Sequence, residues 1–179
     1  DRTEYLMGRG KNNPAQAIAE VLLKMEKIGA TVAGIPCNTA HAPAIFSHIG
    51  DLLRGSHSGL HLLNMAEETI AYIRVKFPAI KKVGVLSTTG TYKFGIYSKP
   101  LAAAGLEAIV PDVETQDNVV HAAIYNREYG IKARTNPVTE RARKDLLFVA
   151  HELIEKGAEL IIKGCTEIVL AVPEKSIKS

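Results

Sequence analysis

Cysteine is scarce in this chain: two residues, Cys37 and Cys165, in a length of 179. A small secreted domain stapled by disulfides carries more, so the pair reads as free thiols in a reducing, cytoplasmic setting. Charge of one sign is scarce too. The formal net charge is +3, with Lys and Arg scattered among acids, which argues against a nucleic-acid partner. No apolar run reaches the ~20 residues a membrane helix needs, and no secretory leader is expected. What is present, 46% hydrophobic and 23% charged residues, is the balance of a globular protein large enough to bury a substantial core, as one domain or two small ones.

Common site motifs are missing as well. Thr88-Thr89-Gly90-Thr91 lacks the Gly-Lys-Ser/Thr of a phosphate loop. The cysteines lie too far apart for a Cys-x-x-Cys redox centre. His41 follows Cys37 by four residues, a chelating spacing on a helix, but a metal needs three or four protein ligands and no further Cys/His pair clusters nearby. No metal is expected.

The patterning alternates helices with short apolar strands. Ala15 to Ile28 reads as an amphipathic helix with Ile18, Val21, Leu22 and Met25 on one face. Asn13-Pro14 suits its start and Gly29 its end. Further helices are predicted at His41–Ile49, Met65–Phe77, Tyr92–Ala104, Val113–Tyr125 and Val138–Lys156. Strands are predicted at Thr31–Ile35, Leu60–Leu63, Lys82–Leu86, Leu106–Val110 and Glu159–Lys163. Arg54–Ser58 and Asn126–Asn136 read as irregular. This order implies α/β architecture with parallel sheet, and ligands on such sheets sit beyond the carboxyl ends of the strands.

A shift of 128 residues superposes two units. Gln16–Ile28 falls on Lys144–Lys156, Gly29-Ala30 on Gly157-Ala158, Thr31–Ile35 on Glu159–Lys163, and Cys37 on Cys165. The repeat predicts two similar Rossmann-like (flavodoxin-like) lobes related by a pseudo-twofold, with a thiol at an equivalent strand tip in each and the active site in the cleft between them. Two like groups on opposite sides of a carbon are what a two-base stereoinversion requires. Burial alone accounts for many single cysteines; two at repeat-equivalent strand ends, each followed by Asn or Thr, favour chemistry.

Pro36-Cys37-Asn38-Thr39-Ala40-His41 and Gly164-Cys165-Thr166-Glu167 resemble the two signature segments of the aspartate/glutamate racemase superfamily. Asp1-Arg2-Thr3, Ser87-Thr88-Thr89-Gly90-Thr91 and Gly130-Ile131-Lys132 are similar to its aspartate racemase branch, and Glu167 stands where cell-wall glutamate racemases usually carry His. The resemblance implies a two-domain α/β enzyme that racemises an acidic amino acid without a cofactor, usually as a homodimer. It implies Cys37 and Cys165 as the catalytic pair. Asn38, Thr39 and Thr166 would hold the α-carboxylate, with Thr88, Thr89 and Thr91 nearby, and Arg2 and Lys132 would address carboxylates. Residues 1–62 would form part of the first lobe, 63–173 the second, and 174–179 the start of a return to the first. The chain is expected to lack the strand and Gly-rich loop with which family members begin, and the strand and helix with which they finish.

Physical chemistry fits those roles. A carbanion at an α-carbon needs electrostatic stabilisation as it forms, and helix starts after each cysteine would supply N–H donors and favour a thiolate. Asn38 and Thr39 equally suit helix capping. Alternatives are a related isomerase acting on maleate or hydantoins, and a non-catalytic α/β binding subunit.

Overall fold

The computed structural model describes residues 2–173. Asp1 and the segment 174–179, with its expected return to the first lobe, lie outside the described residues. The fold is mixed α/β with parallel sheets, as the alternation predicts. The chain divides into two compact units, Asp1–Ala71 and Tyr72–Ser179.

The first unit runs α1 (Arg2–Leu6), α2 (Ala15–Lys27), β1 (Val32–Gly34), a 3-10 turn at Asn38–His41, α3 (Pro43–Gly55), β2 (His61–Leu63) and the start of α4 (Met65–Lys76). β1 and β2 pair in parallel, Val32 opposite His61. The buried face of α2 is Ala15, Ala19 and Leu22, with Ile18 only partly buried against it; the expected Val21 and Met25 are 55% and 40% exposed. Two alanines on the inner face let α2 approach α3 closely. α3 brings Ile45, Ile49 and Leu53 to the same core, one apolar stripe at helical spacing. α3 also begins later and ends later than the predicted His41–Ile49 helix. Pro43 occupies its first turn, where the missing N–H costs nothing, and the last turn absorbs part of the predicted Arg54–Ser58 loop.

The second unit, after the end of α4, runs β3 (Lys82–Ser87), α5 (Thr89–Phe94), α6 (Ser98–Ala103), β4 (Glu107–Ile109), α7 (Val113–Thr115), a π-helical turn at Gln116–Val120, α8 (His121–Tyr125), α9 (Glu140–Glu155), β5 (Leu160–Gly164) and α10 (Ile168–Ala171). The sheet order is β4-β3-β5, all parallel. The central strand β3 is the most buried, which is why Val83-Gly84-Val85-Leu86 reads as a continuous apolar run. Leu146, Val149 and Leu153 of α9 pack with Leu86, Ile124, Ile131 and Ile168 into one core. Each fully buried aliphatic side chain there is worth ~1.5–3 kcal/mol.

The single helix predicted over Tyr92–Ala104 is two helices. Thr88 caps the first from its extended conformation, its side chain accepting from the Thr91 N–H, so α5 starts earlier than expected. Gly95, with φ 65°, then ends it, and the chain re-enters a helix at Ser98. Likewise Val113–Tyr125 is interrupted by the π turn, and α9 starts at Glu140 because Thr139 is its cap.

The repeat is visible in the backbone. α2 ends at Lys27 and α9 at Glu155; Gly29 and Gly157 follow with φ 99° and 97°. The Ala30 N–H returns to the Met25 carbonyl at 3.1 Å and the Ala158 N–H to the Leu153 carbonyl at 2.9 Å. β1 and β5 then start at Val32 and Leu160, so helix stop, glycine and strand start all coincide at the 128-residue offset.

Candidate active site

Each cysteine lies just past a strand. In the first unit the Cys37 N–H donates to the Ile35 carbonyl at 2.7 Å, and Cys37 precedes the Asn38–His41 turn in an extended conformation. Its thiol is free and half-buried. His41 is spent on this turn. The Nδ1–H donates to the Cys37 carbonyl at 3.0 Å, and the ring stacks on Phe46 with centroids 4.9 Å apart. Burial pushes the imidazole below its ordinary value, against backbone carbonyls that pull it up, so it is neutral at neutral pH. Thr39 is buried in the same turn. Helix α1, which carries Arg2, packs against this turn, and Arg2 itself is exposed.

In the second unit Cys165 follows β5 directly and is 6% exposed. The neighbouring Gly164 pairs with Ser87 across the sheet. A Cβ at Gly164 would stand 2.8 Å from the Ser87 Cβ and 3.2 Å from the Tyr97 ring, so only glycine lets β5 approach the end of β3 this closely. That approach sets Cys165 beside the strand end from which Thr88, Thr89 and Thr91 depart.

The Cys165 thiol donates to Glu167 Oε2 at 2.8 Å, and the Thr166 hydroxyl donates to the same oxygen at 2.9 Å. Lys132 Nζ meets Glu167 Oε1 at 2.8 Å and lies 5.2 Å from the centre of the Tyr125 ring. Burial, then the Glu167 carboxylate, push the Cys165 thiol up to about 12, partly offset by the Glu167 N–H. This overturns the expectation that the helix start favours a thiolate at Cys165. The four-residue α10 offers little field, and desolvation and a neighbouring carboxylate both oppose the anion. Burial works to raise Glu167, but hydrogen bonds from Cys165, Lys132 and Thr166 outweigh it and hold the carboxyl at about 2. The hydrogen bond from Lys132 to Glu167 raises Lys132 in turn.

Lys132 owes its position to the residues before it. Gly130 admits no side chain, since a Cβ would lie 2.6 Å from both the N and O of Asn126. Ile131 is fully buried, and the Ile131 and Lys132 N–H groups donate to Ala123 and Ile124 at 2.9 and 3.0 Å.

The threonine turn is held from below. Thr88 and Thr91 hydroxyls are 3.2 Å apart, and Thr89 Oγ1 is 3.2 Å from His121 Nδ1. The Gln116 amide donates to the Ser87 carbonyl at 3.1 Å and to Thr89 Oγ1 at 3.4 Å. All three threonines are buried, so their hydroxyls serve the turn in this state. Gln116 and His121 were not singled out by the sequence. Gln116 opens the π turn, a feature frequent at functional sites, and its burial is visible only in the structure.

The structure thus gathers Thr88, Thr89 and Thr91 at one strand end and Cys165, Thr166 and Lys132, joined through Glu167, at the next. Cys37, Asn38, Thr39 and Arg2 belong to the first unit. Among the described residues no group of three or more His, Cys, Asp or Glu side chains is placed to hold a metal ion, and no helix is long and apolar enough to cross a membrane.

Each unit is parallel α/β and carries one free cysteine beyond a strand end. The chain belongs to the Asp/Glu/hydantoin racemase family, which it matches over residues 2–178. It is 32% identical over 154 residues to the broad specificity amino-acid racemase RacX of Bacillus subtilis, covering 86% of this chain and 59% of that protein. The chain therefore spans about three-fifths of that curated relative's length. The crystal structure of a candidate Asp/Glu racemase from Yersinia pestis matches 98% of the chain and 71% of its own, with 29% identity and a TM-score of 0.74. The aspartate racemase of Picrophilus torridus shares the fold, with a TM-score of 0.72 at 24% identity over 98% of this chain and 66% of that one.

Proposed function

We propose that the protein racemises an acidic amino acid, aspartate or glutamate, without a cofactor, using Cys37 and Cys165 as the two bases. The observation that carries this reading is the protonated Cys165 thiol, held by Glu167 beside the ammonium of Lys132, in a family of racemases and in a chain whose repeat sets a second free thiol at the matching position. One sulfur, as thiolate, takes the α-proton, so that a C–H bond breaks and an S–H bond forms. The opposite thiol gives its proton to the other face of the carbanion and becomes the thiolate. Cys165, protonated in the resting protein, suits the donor role for one enantiomer. The roles exchange for the other.

Asn38, Thr39 and Thr166 are proposed to hold the α-carboxylate, where charge develops as the proton leaves. Thr88, Thr89 and Thr91 stand beside it. Arg2 and Lys132 bind carboxylate groups; Lys132 supports this reading because it already holds one, that of Glu167. The proposal carries with it a reducing, cytoplasmic setting and a homodimer. The test is proton NMR of L- and D-aspartate, then glutamate, incubated with the protein in heavy water. Loss of the α-proton signal with appearance of the opposite enantiomer is expected for the wild type, and both Cys37→Ser and Cys165→Ser are expected to lose racemisation. Normal turnover by either variant removes the two-thiol mechanism.

A further inference from the structure

Glu167 is saturated with donors of the kind that a bound amino acid needs. Its Oε1 takes the Lys132 ammonium at 2.8 Å, and its Oε2 takes the Thr166 hydroxyl at 2.9 Å and the Cys165 thiol at 2.8 Å. The carboxylate is therefore an intramolecular stand-in for a ligand carboxylate. The two partners of the ion pair differ in access. The Lys132 side chain is 43% exposed and that of Glu167 24%. An ammonium has three donors, so Lys132 can accept a second carboxylate from solution while Glu167 approaches from within. Two carboxylates on one ammonium repel one another, and the repulsion is strong where water is partly excluded.

We propose that Glu167 is an internal competitor for the acidic substrate: its carboxylate occupies Lys132 in the ligand-free protein, and the incoming carboxylate takes Lys132 over while Glu167 keeps the Cys165 thiol. The proposal rests on the reading of an acidic amino acid as substrate. Its consequence is selective. A ligand with its own carboxylate can replace Glu167 at the ammonium, whereas a neutral side chain that parted the pair would leave the Lys132 ammonium without a counter-charge, a costly state for a half-buried group.

The test uses the 179-residue chain and succinate, a dicarboxylate with no amino group and no proton to exchange. Calorimetric titration of succinate is paired with KM and kcat for aspartate in wild type, Glu167→Gln and Lys132→Met. Removing the competing charge is expected to tighten succinate binding about tenfold and to lower the KM for aspartate by a similar factor; Lys132→Met is expected to weaken both about tenfold or more. A merely structural role for Glu167 would raise KM on substitution. Glu167→Asp keeps the charge but shortens its reach to Lys132. It is expected to tighten succinate binding about threefold and serves if the glutamine variant does not fold. If wild type exchanges the α-proton of aspartate but neither Glu167 variant binds succinate more tightly, the competitor is overturned and the racemase reading stands. If wild type neither binds succinate nor exchanges aspartate, both fall.

Discussion

Cys37 and Cys165 are one chemical group in two surroundings, and their reactivity is expected to diverge. Cys37 is half-buried, whereas Cys165 is 6% exposed and pushed up to about 12 by burial and by Glu167. Alkylation by iodoacetamide at pH 8, followed site by site by mass spectrometry, is expected to modify Cys37 at least about tenfold faster, because Cys165 is less accessible and is held protonated by burial and Glu167. Cys165 also makes stability depend on pH in a definite direction. Its thiol ordinarily titrates near 9, so above that pH the unfolded chain releases the proton while the folded chain retains it. The fold therefore loses stability as pH rises from about 9 towards 12. Urea unfolding at pH 7 and pH 10.5 is expected to show this loss in wild type and a smaller one in Cys165→Ser. At this scale the sequence revealed the thiols, because a repeat needs only spacing. It did not reveal the task of Glu167, which depends on Lys132 reaching it from a separate loop, nor the supports Gln116 and His121, whose partners meet only through tertiary packing.

Among the elements, the loop that presents Lys132 is fixed by sterics and by hydroxyls, those of Thr135 and Thr139 among them. Gly130→Ala is expected to cost about 1–3 kcal/mol, because the new methyl meets the Asn126 backbone at 2.6 Å and the turn has to open. The KM for aspartate is expected to rise with it, since Lys132 moves. Thr139 ties the same loop to α9, its hydroxyl donating to the Tyr129 carbonyl at 2.6 Å and accepting from the Ala142 N–H at 3.2 Å. Thr139→Ala is expected to cost ~1–2 kcal/mol, read from the urea midpoint. Element types were legible where period and length agreed, as in α9 and β3. Boundaries were misread where a cap or a left-handed glycine decides them. Thr88 starts one predicted helix early and Gly95 splits it in two. The inner face of α2 was misread because Ala15 and Ala19 are weak hydrophobic signals, yet their small size is what permits close helix packing.

At the scale of the molecule, each compact unit has its own core: Ile49 belongs to one and Ile131 to the other. Ile49→Val and Ile131→Val are each expected to cost ~0.5–1.5 kcal/mol. Their double variant is expected to lose the sum within about 0.5 kcal/mol, measured by denaturant unfolding; a larger deviation would mean that the two cores respond to one another. The α/β class and the repeat were readable at this scale because they rest on periodicity along the chain. The repeat has a further meaning. Gly29 and Gly157 stop their helices with nearly the same φ, and each is followed eight positions later by a cysteine. The sulfur's address is thus counted from a helix stop. One residue added within β5 would reverse the alternation of the residues that follow and turn Cys165 to the other face of the sheet, so the length of this interval, as well as Gly164 within it, fixes where the sulfur stands.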